Sequence, residues 1–254
     1  MYKFTNTLRY FIKLSYNGES FHGWQTQANA VTVQETIENA LQILLKQKKI
    51  NIVGAGRTDT GVHAKEMIAH FDYYKILDSK KIIFKLNSFL DKNIFIINIK
   101  LVSQDLHARF DATLREYKYY LTQTKDVYNY HTKYYFPKKL DFDKIDKAIN
   151  IIKKTKNFKS FCKTKTDVTN YECTIFEFSY EILDTDIIFT MSANRFLRNM
   201  VRSIIGTILE IGISKISPES LNEIILKSNR IYAGPSIPAH GLFLTKVEYP
   251  KNIF

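Results

Sequence analysis

The sequence predicts a mixed α/β protein built as two halves of similar size, residues 1–105 and 106–254, that pack as one body. Two observations support this fold class. Segments that alternate like strands and segments with the apolar spacing of helices follow each other in broadly the same order in both halves. No Pro-, Gly- or Ser-rich linker and no low-complexity segment interrupts the chain, whose 254 residues suffice for a substantial core.

The first half begins with a strand and a helix. Residues 10–16 place alternate apolar side chains on one face. Thr32 and Glu35 form a capping box, in which Glu35 reaches back to the Thr32 backbone, and apolar residues then recur at helical spacing. Trp24, the only tryptophan, lies between them and either closes the edge of the core or supports a polar site. The remaining predicted elements of this half are strands at 50–53, 67–71 and 94–102 and a helix at 80–90.

The second half begins with a strand in which Tyr117, Tyr119 and Leu121 share one face. The polar, basic stretch 153–170 is expected to be a flexible loop. The other predicted elements are a helix from about 141, strands at 173–182 and 186–192, a helix from 194 to about 212, a helix that starts at Ser217-Pro218, and a strand at 242–249. The helix from 194 would carry Arg195, Arg198 and Arg202 on one face, as a clamp for phosphate or carboxylate or as a solvated basic surface.

Composition narrows the class of protein. No apolar run approaches the roughly 20 residues that span a membrane, and the first 16 residues do not resemble a signal peptide, so a cytoplasmic protein is expected. The two cysteines are too few for a zinc knuckle or a disulfide framework. The net charge of +12 suits a polyanionic partner such as a nucleic acid, although codon usage rich in Lys, Ile and Asn is an alternative source of that charge.

The most informative stretch is residues 56–64, Gly-Arg-Thr-Asp-Thr-Gly-Val-His-Ala. Glycines at 54, 56 and 61 allow unusual backbone geometries, so the stretch is predicted to be a shaped loop between two strands that holds the Asp59 carboxylate. A structural turn, in which Asp59 caps its own backbone, remains an alternative from these residues alone.

The same residues argue against three other classes of site. A phosphate-binding loop needs Gly-Lys-Ser or Gly-Lys-Thr, and a dinucleotide fingerprint needs a glycine two places earlier than Gly61. Asp59-Thr60-Gly61 matches the triplet of aspartic proteases, but those enzymes need a second carboxylate that shares a proton. Arg57 would instead hold Asp59 ionised, which opposes proton sharing.

Taken together, five blocks in order resemble the pseudouridine synthase family that modifies the anticodon arm of tRNA, the TruA family. The resemblance covers residues 10–249, with Thr60 in place of the usual alanine after the aspartate and Asn17 in place of an aspartate in the first block. The blocks are residues 16–25, residues 56–64, residues 107–113 with 117–119, residues 196–202 with Gly206, and Gly241-Leu242.

The resemblance implies an α+β pseudouridine synthase fold, with two related halves whose antiparallel sheets surround a central basic cleft. It further implies a homodimer that binds the tRNA anticodon stem-loop and isomerises uridine to pseudouridine at positions 38, 39 and 40, without a cofactor or a metal. Asp59 would be the catalytic nucleophile, and Arg57 or Arg202 would form an ion pair with it. Tyr117 would stack on the flipped uracil, and Leu242 would form an apolar wall of the pocket.

Two rival functions are kept beside this one. A catalytically silent protein that binds or folds tRNA would share the basic surface and would not need Asp59. A dimeric aspartic protease with one triplet per chain would need an apolar setting around the acid, which Arg57 opposes.

Overall fold

The computed structural model describes residues 7–164, 166, 168–250 and 253–254. These residues contain nine strands and five α-helices. The chain divides into two compact units: unit 1 comprises Met1–Thr113 with Leu244–Phe254, and unit 2 comprises Leu114–Phe243. None of the helices in the described part of the chain is both long and apolar enough to cross a membrane.

Unit 1 is built on an antiparallel sheet. Its strands are β1 (Leu8–Tyr16), β2 (Ile52–Gly54), β3 (His63–Tyr73) and β4 (Ile94–Val102), joined by the part of β9 (Leu242–Glu248) that follows Phe243. Their order is β4-β1-β3-β9, and β2 pairs with β3. The predicted strands of the first half are confirmed, with β2 shifted by one to two residues and β3 longer than expected.

Two helices of unit 1, α1 (Val33–Leu45) and α2 (Ser79–Phe89), bury one apolar side each, as predicted. The Thr32 side chain caps α1 by accepting the Glu35 amide hydrogen over 3.4 Å. The return bond from the Glu35 side chain is absent from the hydrogen bonds of the described residues, so only half of the predicted capping box forms. Trp24 is fully buried.

Unit 2 contains a second antiparallel set of strands, in the order β5-β8-β7. The strands are β5 (Leu114–Thr122), β6 (Tyr134–Tyr135), which runs parallel to β5, β7 (Ile175–Leu183) and β8 (Asp186–Ala193). In β5, Tyr117, Tyr119 and Leu121 are buried while the residues between them are half-buried, which confirms the predicted alternation. The helices are α3 (Phe142–Lys154), α4 (Met200–Gly212) and α5 (Ser220–Lys227).

The predicted helix from 194 is wrong in its first turns, because α4 begins only at Met200. Asn199 has a left-handed backbone with φ of 67°, which a continuing helix cannot contain. The Asn194 side chain accepts the amide hydrogens of Thr174 and Arg195, which favours a loop over a helix. Arg195 therefore precedes α4, and the predicted helical face shared by three arginines does not form.

The expectation of a flexible loop over 153–170 is also wrong in its central part. Lys159–Phe161 form a 3-10 turn, and the rings of Phe158 and Phe161 are fully buried. The Ser160 hydroxyl donates a hydrogen bond to the carbonyl oxygen of Ile224 in α5 over 2.6 Å. The two phenylalanines bring this basic segment into the core of unit 2.

The last predicted helix is displaced as well. Instead of starting directly after Ser217, α5 begins at Ser220, after a turn in which the Ser217 hydroxyl and carbonyl oxygens accept the Ser220 amide hydrogen. The predicted strand from Leu242 is confirmed as β9.

Candidate active site

The Asp59 loop joins β2 to β3, as predicted. At its start the Ala55 amide donates to the Ile68 carbonyl oxygen over 2.7 Å, and at its end the Val62 amide donates to the Asp59 carbonyl oxygen over 3.1 Å. Of the three glycines that the sequence singles out, only Gly61 has a left-handed backbone, with φ of 76°. Gly61 therefore makes the turn that follows Asp59.

The segment that contains Trp24 holds this loop from the other side. The Trp24 amide donates to the Thr58 carbonyl oxygen over 3.2 Å, and the Gly61 amide donates to the Phe21 carbonyl oxygen over 3.3 Å. The Tyr16 and Thr58 hydroxyls hydrogen-bond over 2.8 Å inside the protein. Asp59 is thus held by contacts on both of its sides, to residues more than 30 positions earlier in the chain.

Two glycines of the same segment allow this close approach. A Cβ atom on Gly23, whose φ is +86°, would lie 2.5 Å from the Thr58 carbonyl oxygen. A Cβ atom on Gly18 would lie 2.0 Å from the Val62 carbonyl oxygen. The Gly18 amide also donates to Nδ1 of the buried His63 over 3.0 Å. His63 belongs to the 56–64 block, but the sequence did not reveal this contact.

The side chains of the loop differ in exposure. Thr58 is buried, Asp59 is half-buried and Arg57 is exposed. The buried anchor at Thr58 positions the carboxylate one residue later, where a ligand can still reach it. An ion pair between Asp59 and Arg57, or between Asp59 and Arg202, stays a prediction.

Tyr117, Arg202 and Leu242 belong to unit 2. Tyr117 pairs with Met191 across β5 and β8, and its ring meets the Phe196 ring edge-on, with 5.1 Å between centroids and an interplanar angle of 89°. This contact joins the third and fourth sequence blocks. It also fixes the orientation of the Tyr117 ring, of which 8 % is exposed.

Arg202 and Leu242 are linked through the residues that precede β9. Nε of Arg202 donates to the Ile237 carbonyl oxygen over 2.7 Å. The next carbonyl oxygen along, that of Pro238, accepts the hydroxyl hydrogen of Tyr119 over 2.9 Å. Leu242, which is 5 % exposed, follows four residues later at the start of β9. Arg202 and Tyr119 therefore position the segment that leads into Leu242.

The sequence places Tyr119 in the third block and beside Tyr117 on one strand face, but it did not reveal the role of Tyr119 in this site. Burial raises the pKa of its phenol well above the ordinary value, so the hydroxyl stays a donor at neutral pH. A Cβ atom on Gly241 would lie 2.8 Å from the Tyr119 ring, so the glycine lets the chain pass the ring. The signal was present in Gly241, which the resemblance names without a structural reason.

No metal centre stands out in this part of the chain. Among the residues that the structure describes, no group of three or more His, Cys, Asp or Glu side chains is arranged to hold a metal ion.

Comparison with known proteins agrees with the five sequence blocks. A family described as tRNA pseudouridine synthase matches residues 13–111 and 155–250. A protein of Parabacteroides distasonis named tRNA pseudouridine synthase A is 46 % identical over 247 residues, which cover 97 % of this chain and 98 % of the relative.

Two further relatives have similar names and match a similar share of the chain. The tRNA pseudouridine synthase A of Bacteroides fragilis is 45 % identical over 97 % of this chain and 98 % of its own length. The tRNA pseudouridine synthase A 1 of Bacillus cereus is 40 % identical over 93 % of this chain and 96 % of its own length. Because the family match covers most of the chain and these relatives match it almost from end to end, the chain belongs to the tRNA pseudouridine synthase family.

Proposed function

We propose that this chain isomerises uridine to pseudouridine at positions 38, 39 and 40 in the anticodon stem-loop of tRNA, with Asp59 as the nucleophile. Family membership supports the reaction on tRNA. The observation that carries the choice of Asp59 is the way its loop is fixed by Tyr16, Trp24 and Gly18, since a nucleophile must be held in one geometry.

The reaction breaks the bond between uracil N1 and ribose C1′ and forms a bond between C5 and C1′. The proton on C5 leaves and N1 gains one, so substrate and product contain the same atoms and electrons. No redox cofactor is required, and the proposal includes neither a cofactor nor a metal. A carboxylate can start this sequence by attacking C1′, by adding to C6 of the ring or by removing the C2′ proton.

The other site residues have distinct roles in the proposal. Tyr117 stacks on the flipped uracil, and its hydroxyl takes part in removing the C5 proton. Arg202 or Arg57 keeps Asp59 ionised, and Leu242 excludes water from the base. The cost of extracting the base from its stack, a few kcal/mol, is offset by phosphate contacts along a basic cleft. We further propose that the enzyme works as a cytoplasmic homodimer.

The test uses tRNA that carries tritium at C5 of uridine, because the reaction releases that label to water. Asp59→Asn keeps the size of the side chain and removes its charge, and should lower the release rate at least about 1,000-fold. The matched control is Asp143→Asn, an exposed acid in the first turn of α3, which should leave the rate unchanged.

Filter binding of the same tRNA completes the experiment. Asp59→Asn should bind tRNA as the parent chain does. Turnover retained in this variant would refute Asp59 as nucleophile, and loss of binding together with turnover would make Asp59 a structural acid. A parent chain that binds tRNA and releases no tritium would identify the silent RNA-binding protein instead.

A further inference from the structure

Unit 1 contains a cavity that the proposed reaction does not use. It has a volume of about 440 Å³, within the range of roughly 300–1,000 Å³ of sites for small ligands. Its lining includes Arg9, Lys49, Asn51, Val53, His70 and His107. None of the lining residues belongs to the Asp59 loop, and His70 lies seven residues, about 23 Å along a strand, beyond the end of that loop at the start of β3.

His70 supplies a hydrogen-bond donor to this cavity. Its Nδ1 accepts the Ala108 amide hydrogen over 3.1 Å, so the neutral ring carries its own hydrogen on Nε2. Only 5 % of His70 is exposed, and Nε2 has no hydrogen-bond partner among the described residues. Burial lowers the pKa of His70 to about 4, with Arg9 and His107 adding to the effect. The ring therefore offers a neutral donor at physiological pH.

The charges around the cavity favour an anion. Arg9 donates from Nε and Nη2 to the two carboxylate oxygens of Asp72, each over 2.8 Å, so these charges largely cancel. The hydrogen bond from Arg9 keeps the pKa of Asp72 below its ordinary value, which maintains the pair. Lys49 at the rim is exposed and forms no ion pair within the described part of the chain. Among the residues that line the cavity, one positive charge therefore remains, that of Lys49.

Aromatic rings continue outward from the cavity. The His70 and His107 rings meet edge-on with 4.6 Å between centroids, and Phe110 stacks on His107 at 4.3 Å. Phe110 is 75 % exposed, and the Arg109 guanidinium lies 5.8 Å from its centroid. Exposed rings beside guanidinium and ammonium groups are the surfaces on which unpaired bases stack.

We propose that this cavity binds one nucleotide of the substrate RNA other than the reacting uridine, with its phosphate at Lys49 and its base against His70 and His107. The proposal rests on the proposed function for the identity of the RNA. A nucleotide combines the two features that the cavity selects, an anionic group and a flat ring with an acceptor for the Nε2 hydrogen of His70. The site would hold the tRNA by a second point while Asp59 engages its target.

The first experiment measures tRNA binding by filter retention. Lys49→Ala should raise Kd about fivefold through the lost phosphate contact. Lys48→Ala removes the same charge from an exposed neighbour that does not line the cavity, and should raise Kd less than twofold. Equal effects of the two variants would overturn the proposal.

A second variant tests the base contact. Asn in place of His70 keeps an acceptor for the Ala108 amide and removes the distal donor, so His70→Asn should raise the KM for tRNA several-fold and leave kcat as in the parent. Cross-linking with tRNA that contains 4-thiouridine should label peptides that include Lys49 or His107. Labelling confined to other peptides would contradict the site.

Competition with free uridine monophosphate distinguishes the two possible ligands of the cavity, a nucleotide within tRNA and a free nucleotide. At millimolar concentration it should not displace tRNA, because one weak subsite contributes only part of the binding. Displacement of tRNA by the free nucleotide at micromolar concentration would assign the cavity to a soluble ligand and overturn the proposal. Since the filter-binding, cross-linking and displacement experiments need no turnover, the tritium assay judges the proposed function independently.

Discussion

At the scale of single residues, the Asp59 loop depends on backbone contacts that leave no space for a methyl group. Gly23 lies against the carbonyl of Thr58 in a backbone conformation with positive φ. Gly56, in the loop itself, has no other atom within 4 Å of the place where a Cβ would be and does not have positive φ. The structure therefore requires a glycine at position 23, whereas position 56 has space for a side chain.

These glycines give a matched pair of substitutions. Gly23→Ala should lower the free energy of unfolding by about 1–3 kcal/mol, because the new methyl group strains the backbone and displaces Thr58. Gly56→Ala should be neutral or stabilising by up to about 1 kcal/mol, because it restricts only the unfolded chain. Urea titrations measure both. Similar losses in the two variants would show that the contact with Thr58 does not limit the loop.

At the scale of elements, β3 carries two features of unit 1. The strand begins directly after the Asp59 loop and reaches the cavity seven residues later at His70. Val53 of β2 and Phe11 of β1 flank His70 in the sheet. The neighbouring strands therefore fix the histidine, and its protonation is coupled to the stability of the sheet.

This coupling predicts how stability depends on pH. The pKa of His70 is about 4 in the folded protein and is ordinarily 6.5, so the unfolded chain binds the extra proton first as the pH falls. The free energy of unfolding should therefore decrease between pH 6.5 and 4, by about 1–2 kcal/mol after allowance for solvent screening. Urea titrations across this range measure it. His70→Asn should have a shallower slope, and an unchanged slope would contradict the assignment.

Sequence patterns predicted the elements that have one clearly buried face. In β5 and α3, the alternation or spacing of apolar residues matches the burial that the structure shows. The start of α4 was missed because Asn199 takes a left-handed backbone and Asn194 bonds across to Thr174, neither of which is visible as periodicity. The burial of Phe158 and Phe161 was missed because two rings in a basic segment form no repeating pattern.

The candidate site, like the fold, could be predicted from the sequence only in part. The glycines and acid of residues 56–64 indicated a shaped loop without any structure. The partners that hold it, Tyr16 and Trp24, lie more than 30 positions away, and such contacts cannot be inferred from local spacing. The same holds for Tyr119 and Pro238, which are linked by a hydrogen bond across 119 positions.

At the scale of the whole molecule, the net charge of +12 is the feature that bears most directly on the binding of an anionic substrate. The two compact units of the structure meet in sequence after Thr113 and before Leu244. The organisation into halves 1–105 and 106–254 that the sequence suggests stays a prediction. Charge can result from selection for an anionic partner or from codon usage, and salt distinguishes these origins.

A salt titration makes the distinction. Affinity for tRNA should fall steeply between 50 and 200 mM salt, because each phosphate contact releases counterions, with a loss of about 1,000-fold if six or more phosphates are neutralised. Filter binding at several salt concentrations gives the slope. A flat profile would mean that the positive charge does not contact the RNA.

The position of β9 makes unit 1 a discontinuous domain. Val247 in this strand donates its amide hydrogen to the Glu66 carboxylate of β3, across 181 positions of sequence. During synthesis, unit 1 must wait for all of Leu114–Phe243 to emerge before its sheet can gain this strand. Unit 2 is continuous and has no such delay. The order of synthesis therefore differs from the order of assembly, and the sheet that holds the Asp59 loop is completed last.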